Sequence, residues 1–464
     1  MPQLNLNFLL MNILMISKTL NRSLLLLLLF WFGRTERALA GGGGESDARA
    51  VAMGRANTAV AENTEAYLWN PANLGMTSKN SSQMILQIFA GGFRVGNNVL
   101  SIPNYNKYNG RAFSSKDKKD FLDLFGGDRS LHANGDAEVR LLGFQYRNYS
   151  LNIKLDGAGY SKVPKDIFDM ALSNYDVGSK KLEGNGGGDA FLNVSMSAGY
   201  PIKNVFSNVI KEMSAGMTLK YVKGFGNFNI SDLHGIVEKS DSIITHGSYV
   251  TRESRGGSGF GIDLGIAAKI DRRWTVGLSV MNIVSQMTWS KQNKLRQGSF
   301  SVRADDVFDI DFRDSKKDSL SSQYNSDKSD TSYSIGSYSR RLPMILRVGA
   351  GYQYNKRLLL TGDIEHFLNN VSGTTVPRIA AGAEYRTSDH VLLRGGMSLG
   401  GDNRGFNVSG GAGFLWGKTT IDIGTNNLES LIVLRRFSFA LNVKTILRYH
   451  ACLLNIHTKR IKRL

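Results

Sequence analysis

Between residues 79 and 447 one pattern recurs: segments of about ten residues in which apolar positions alternate with small or polar ones. Met213, Ala215, Met217, Leu219 and Tyr221 alternate with Ser214, Gly216, Thr218 and Lys220. Phe260, Ile262, Leu264, Ile266, Ala268 and Ile270 alternate with Gly261, Asp263, Gly265 and Lys269. Leu358, Leu360 and Ile364 alternate with Thr361, Asp363 and Glu365, and Phe406, Val408, Ala412, Phe414 and Trp416 with Asn407, Ser409, Gly411 and Gly413. Period two means strands with one apolar face. A soluble sandwich also alternates, but its apolar faces must pack together. Ten-residue strands with glycine on the second face suit a membrane-barrel wall better. The predicted fold is all-β: a transmembrane antiparallel β-barrel of about 14–16 strands, counted nearer sixteen, with a small N-terminal plug.

Connection lengths point the same way. From Met344 onward the links run short at Asn355-Lys356, long at 367–376, short at 387–390, medium at 400–404, short at Gly417-Lys418 and long at 426–435. Asp271-Arg272 is another short turn. Short periplasmic turns alternating with longer outer loops are the habit of outer-membrane barrels. Residues 290–343, rich in Ser, Asp and Lys, read as a very long mobile outer loop, and 104–135 and 157–188 as further long loops. Trp274, Trp289, Tyr352, Tyr354, Tyr385, Phe406 and Trp416 fall near strand ends, where interfacial girdles sit.

If apolar faces point to lipid, then Asp263, Arg347, Asp363, Glu365, Arg378, Glu384, Arg386 and Arg394 point into the lumen, with opposite charges facing one another on adjacent strands. A charged side chain on the lipid face at mid-depth costs about 2–4 kcal/mol, which favours the inward choice.

Before the strands, Ser23–Phe32 is a dense apolar run preceded by Lys18 and Arg22 and followed by Ala38-Leu39-Ala40. Positive flank, short apolar core and small-residue site predict a secretory signal peptide over 1–40. The run is shorter than the roughly 20 residues a helical span needs. The single cysteine, Cys452, excludes a disulfide framework. It lies in a basic tail, 448–464, carrying Arg448, Lys459, Arg460, Lys462 and Arg463 beyond the expected closing strand Phe437–Val443. The formal charge of +18 is not organised as a basic stripe interleaved with aromatics, so nucleic acid is not an expected partner. Outer-membrane lipid and the barrel-assembly machinery are. No catalytic constellation is present. The seven histidines (132, 234, 246, 366, 390, 450 and 457) are scattered, and His234 with Glu238 makes a poor metal pair; no cofactor is expected.

Residues 48–75 break the strand pattern. They run through Met53-Gly54-Arg-Ala56, an alanine-rich stretch with Ala59 and Ala61, the acidic Glu62, and then Trp69-Asn70-Pro71-Ala72-Asn-Leu74. This resembles the N-terminal region of the FadL long-chain fatty acid transporters and of the related PorV/PorQ-like barrels. In those families a Met-Gly-x-Ala stretch leads to Trp/Tyr-Asn-Pro-Ala-x-Leu; the acidic position comes one place early here. The resemblance implies a plug inside the barrel mouth within an N-terminal segment 41–78, built on Met53, Gly54, Ala56, Trp69, Asn70, Pro71 and Ala72. Small residues there permit close approach to the wall, and Asn-Pro favours a turn. Weaker likeness to a less characterised branch runs through Val163–Leu172, Gly259–Gly265, Leu278–Ile283 with Trp289, Gly382–Tyr385 and Leu393–Gly396. The FadL branch implies passage of hydrophobic small molecules across the outer membrane, the PorV branch an accessory role toward secreted proteins. A purely structural barrel is the third possibility.

Overall fold

The computed structural model describes residues 43–76, 83–109, 113–172, 178–203, 209–239, 243–304, 324–369, 376–401, 405–431 and 435–448. The export signal expected over 1–40 and the tail from 449 lie outside them. Nineteen strands are present among the described residues: β1 (Gln83–Asn97), β2 (Ser130–Tyr146), β3 (Tyr149–Pro164), β4 (Gly178–Glu183), β5 (Asn185–Ile202), β6 (Glu212–Lys239), β7 (Ile243–Ser254), β8 (Gly257–Lys269), β9 (Trp274–Trp289), β10 (Lys294–Ala304), β11 (Tyr324–Ser334), β12 (Tyr338–Arg340), β13 (Ile345–Gln353), β14 (Leu358–Phe367), β15 (Arg378–Arg386), β16 (Val391–Gly400), β17 (Gly405–Trp416), β18 (Thr419–Thr425) and β19 (Arg436–Arg448).

Fourteen of these close into one antiparallel ring, in the order β1-β2-β3-β5-β6-β8-β9-β13-β14-β15-β16-β17-β18-β19 and back to β1. Closure leaves no open edge in the wall, which any sheet needs if it is to sit in hydrocarbon. Side chains sort by strand parity. Outward positions carry Leu219, Phe260, Ile266, Leu278, Ile364, Leu393, Phe406 and Phe439, all exposed. Inward positions carry Ser214, Thr218, Asp263, Ser279, Asp363, Asn407 and Asn442, all buried. An apolar outside around a polar inside is the inverse of a soluble protein and identifies a membrane-spanning wall.

Fourteen strands in the ring stand at the lower end of the expected 14–16, and the other five belong to an extension beyond it. β6 has 28 residues, an extended length of about 90 Å and far more than a tilted span requires. Its upper part pairs with β4 and β7, β7 pairs with β10, and β10 with β11. The stretch read as one mobile loop over 290–343 therefore holds β10, β11 and β12, while 305–323 lies outside the described residues. Likewise β2 already begins at Ser130, β3 runs to Pro164 and β5 starts at Asn185, inside the stretches expected to be loops. Polar sequences such as Tyr324–Ser334 lack the one-sided apolar alternation of the wall, yet backbone pairing to a neighbouring strand holds them in β structure above the apolar band. Three helices, α3 (Ile102–Tyr108), α4 (Ser115–Asp123) and α5 (Lys165–Leu172), cap the β1–β3 side around the rings of Tyr108, Phe113, Phe121, Phe125 and Phe168. They are numbered after two short helices, α1 (Ala48–Ala52) and α2 (Ala66–Trp69), of the N-terminal segment.

The short turns share one rim. At Asp271 the carboxylate accepts from the backbone N–H groups of Arg273 (2.7 Å) and Trp274 (2.6 Å), which holds its pKa below the usual carboxylate range. Of the expected girdle aromatics, Trp274, Tyr354, Tyr385, Phe406 and Trp416 are exposed, and the Tyr352 ring lies tilted against Trp274 with centroids 4.7 Å apart. Trp289 is a correction: it is wholly buried. Trp289 shares the inward, odd parity of Gly277, Ser279 and Met287 along β9, whereas Trp274 and Leu278 stand on the outward, even parity.

Candidate functional site

Residues 43–76 lie inside the ring. Asp47 organises them locally. Its carboxylate caps α1 at the Ala50 N–H (3.1 Å) and accepts from Trp69 Nε1 (2.7 Å) and Asn57 Nδ2 (3.0 Å). Around it Ala50, Ala61, Tyr67, Leu68 and Trp69 form a small apolar core. Asn70 caps the turn that Pro71 begins, accepting from Ala72 N–H at 3.0 Å, while its Nδ2 donates to the Ile266 carbonyl on β8. Met53, Ala56, Trp69, Asn70 and Ala72 have no accessible surface, and Gly54 and Pro71 are buried with them.

Gly54 takes φ +66° and lies against the backbone of Met397 and Ala381. The wall answers with glycine of its own: a Cβ at Gly396 would collide with the Met53–Gly54 peptide. The chain's 51 glycines are in part explained by such inward positions, where two backbones touch.

Around this contact runs a belt of acidic and basic side chains. Asp363 accepts from the backbone N–H groups of Asn57 (2.9 Å) and Thr58 (2.8 Å). Arg347 donates to the Leu68 carbonyl (2.6 Å), pairs with Glu365 (2.6 Å) and covers the Trp69 ring at 4.7 Å. Arg378 joins the same Glu365 at 3.2 Å. Glu384 is shared by Arg49 of α1 (2.8 Å) and Arg394 (2.7 Å), and Arg394 continues to Asp422 (2.8 Å). Asp263 pairs with Lys220 at 2.8 Å and accepts from the Asn282 N–H at the bulge. Seven of the eight charges expected in the lumen are thus placed there. Arg386 is not: it has inward parity but sits exposed past the short-turn rim.

The N-terminal strands carry the other half of the belt, with charges not among the eight named from the sequence. Glu65 is held by Asn442 (2.5 Å), Lys444 (3.3 Å) and Arg140 (3.6 Å). Glu138 accepts from the Gly44 N–H (2.9 Å) and pairs with Lys154 (3.1 Å), which also meets Asp156 (2.8 Å). Arg94 pairs with Asp136 at 2.5 Å, and Glu45 pairs with Arg55. Alternation would have found them: Glu138 and Arg140, then Lys154 and Asp156, lie two apart on strands whose intervening residues are apolar. A buried ion pair adds little net stability over an apolar pair, but losing one partner strands the other at a cost of about 3–5 kcal/mol. The belt therefore fixes where the N-terminal segment sits. Among the described residues, no group of three His, Cys, Asp or Glu side chains is arranged to hold a metal ion.

The long-loop end of the lumen is filled differently. Phe191, Val222, Met287, Trp289 and Leu342 form a buried apolar cluster, with Tyr338 against it. Leu342 comes from the chain between β11 and β13, which dips into the mouth. Tyr338 Oη donates to Asn227 (2.6 Å), Arg340 pairs with Asp189 on β5, and Asn282 and Asn369 donate to the carbonyls of Pro343 (2.8 Å) and Leu342 (3.0 Å). Among the described residues the indole N–H of Trp289 has no hydrogen-bond partner, at a desolvation cost on the order of 1–3 kcal/mol.

Comparison with known proteins adds little about chemistry. Residues 232–426 match a family of unknown function, DUF5723. No curated protein matches the chain. Among solved structures, the Pseudomonas putida toluene transporter TodX is similar at 10% identity and a TM-score of 0.46, over 89% of this chain and 98% of that one. The Ralstonia pickettii toluene transporter TbuX stands at 13% and 0.45, over 88% and 99%. A Pseudomonas aeruginosa FadL homologue stands at 11% and 0.46, over 88% and 100%.

Proposed function

We propose that this chain is an outer-membrane barrel that passes hydrophobic small molecules, with residues 43–76 as its plug. In this reading a signal peptide directs export, the barrel-assembly machinery inserts the wall, and outer-membrane lipid solvates the apolar belt. The observation that carries the proposal is the apolar cluster at the outer mouth. Barrel lumens are polar as a rule, and a lining of Phe191, Val222, Met287 and Trp289 above a polar belt suits a solute that water does not. The ionic grip on 43–76 supports a plug held in one place rather than a loose terminus. Uptake of a radiolabelled long-chain fatty acid by a host lacking its own transporter tests the reading. Expression of the chain raises uptake above the empty-vector level; an unchanged level sinks it.

One observation favours a second reading, an accessory barrel for exported proteins. The sheet β4-β6-β7-β10-β11 stands beyond the wall with exposed residues from Ser329 to Ser334 along β11. Secreted proteins co-purifying from cells that show no uptake would reverse the ranking.

A further inference from the structure

Leu342 occupies its place in the mouth as a ligand does. It enters a cleft made by four residues of the wall, Phe191 on β5, Val222 on β6, and Met287 and Trp289 on β9. It is the one member of the cluster supplied by a connecting segment rather than by a wall strand. The wall has made room for the large members: a Cβ at Gly224 would strike Met287 and Trp289, and one at Gly257 would meet Met287. Methionine is the side chain best able to repack when the occupant changes. Leucine satisfies the cleft's apolar surface, but among the described residues Trp289 Nε1, an N–H donor with no accessible surface on its residue, is left without an acceptor.

The tethers of the inserted segment are polar and of the kind that exchange. Tyr338 Oη bonds Asn227, Arg340 pairs with Asp189, the Leu342 N–H donates to Ser285 Oγ (3.1 Å), and Arg252 covers the Tyr338 ring at 4.9 Å. These four contacts lie toward the mouth; in addition Asn282 and Asn369 donate to the carbonyls of Pro343 and Leu342, and β12 pairs with β9 where the segment begins. The segment Tyr338–Met344 has the build of a strap: one apolar side chain inserted, several polar contacts around it.

We propose that the cleft is a binding seat for a small amphipathic molecule, an apolar body carrying one hydrogen-bond acceptor for Trp289 Nε1, and that Leu342 fills this seat until the molecule displaces the strap. The proposal rests on the transport reading for its purpose, but the seat is testable without it. A strap that closes the seat most of the time lowers apparent affinity by the fraction of time the seat is open. Freeing the strap must then tighten binding without changing the seat.

The test uses the full chain in detergent micelles, labelled with 5-fluorotryptophan, the Trp289 resonance being assigned with Trp289→Phe. The probes are 1-heptanol and n-heptane, matched in length but only the first an acceptor. Heptanol is expected to move the Trp289 signal, and to do so at about tenfold lower concentration in Arg340→Ala and Leu342→Ala. Heptane is expected to do so weakly. No movement in any variant overturns the seat, equal response to both probes overturns the acceptor, and equal half-saturation with and without the tether overturns the strap. Should Arg340→Ala fail to give a barrel of normal gel mobility, Asp189→Asn weakens the same pair from the wall side. Movement at Trp289 without fatty acid uptake leaves the seat and removes the transport reading; uptake without movement does the reverse.

Discussion

At the short-turn end of the lumen, Arg49, Glu65, Arg140, Arg347, Asp363, Glu365, Glu384 and Arg394 hold residues 43–76 through paired charges and backbone hydrogen bonds. At the long-loop end, Leu342 sits among Phe191, Val222, Met287 and Trp289, with polar tethers only around it. Both arrangements fill the same tube. They differ in what an error costs. A buried charge tolerates only its own partner at its own distance, whereas an apolar contact accepts any body of similar volume. The ionic belt thus specifies one occupant, and the apolar mouth leaves the occupant open to exchange.

The largest expected effect comes from breaking the belt. Arg347→Leu removes a guanidinium that serves Glu365, the Leu68 carbonyl and the Trp69 ring together. A loss of about 3–5 kcal/mol follows from stranding buried partners. Urea unfolding in micelles reads it, together with faster proteolysis within 43–76. An unchanged midpoint would mean that the belt is ornament. At the mouth, Leu342→Ala is expected to cost roughly 2–3 kcal/mol, the lower part of the range for buried leucines, because a cleft near the rim can collapse. It should leave proteolysis of 43–76 unaltered; if both variants expose that segment alike, the two halves are one unit and the comparison fails.

Adjacent glycines sharpen the contrast between the two faces of the wall. Gly396 faces the Met53–Gly54 peptide, and a methyl group there has nowhere to go. Gly395 faces outward with only the Ser409 carbonyl oxygen, 4.0 Å away, near its Cβ position. Gly396→Ala is expected to cost about 1–3 kcal/mol through overpacking. Gly395→Ala is expected to be neutral or to stabilise by up to roughly 1 kcal/mol, since alanine restrains the unfolded chain. Equal effects in urea unfolding would show that the segment does not press on β16.

Much of the wall was legible because lipid on one side and a polar lumen on the other write period two into β6, β8, β14 and β17. Seven of the eight inward charges named from the sequence follow from that parity alone. Arg386 shows its limit: parity gives the face of the wall, not the depth at which the strand leaves it. Trp289 shows another: nearness to a strand end does not make a girdle aromatic, since its odd parity, shared with Ser279 and Met287, puts it on the inward face. The extension beyond the ring was hidden for a different reason. Lys294–Ala304 and Tyr324–Ser334 are polar on both faces, and what makes them strands is their pairing with each other and with β7, which no local pattern records. The partners of 43–76 were unreadable as pairs, because Arg49 finds Glu384 only once the ring has closed around it.

The smallest effect belongs outside both halves, at the turn between β8 and β9. Asp271 is half-buried in this turn, and its carboxylate is held down in pKa by the N–H groups of Trp274 and Arg273. A depressed folded-state pKa means that the contribution is present above the unfolded value near 4 and is lost as pH falls through the folded value. Asp271→Ala should therefore lower the unfolding midpoint slightly at pH 7, and by progressively less as the pH is brought down through the acid range. Because the turn touches neither the ionic belt nor the apolar mouth, its effect should add to those of Arg347→Leu and Leu342→Ala rather than alter them. A coupling between Asp271 and either site would mean that the short-turn rim and the lumen contents move together, and the division of the tube into an ionic half and an exchangeable half would have to include the wall itself.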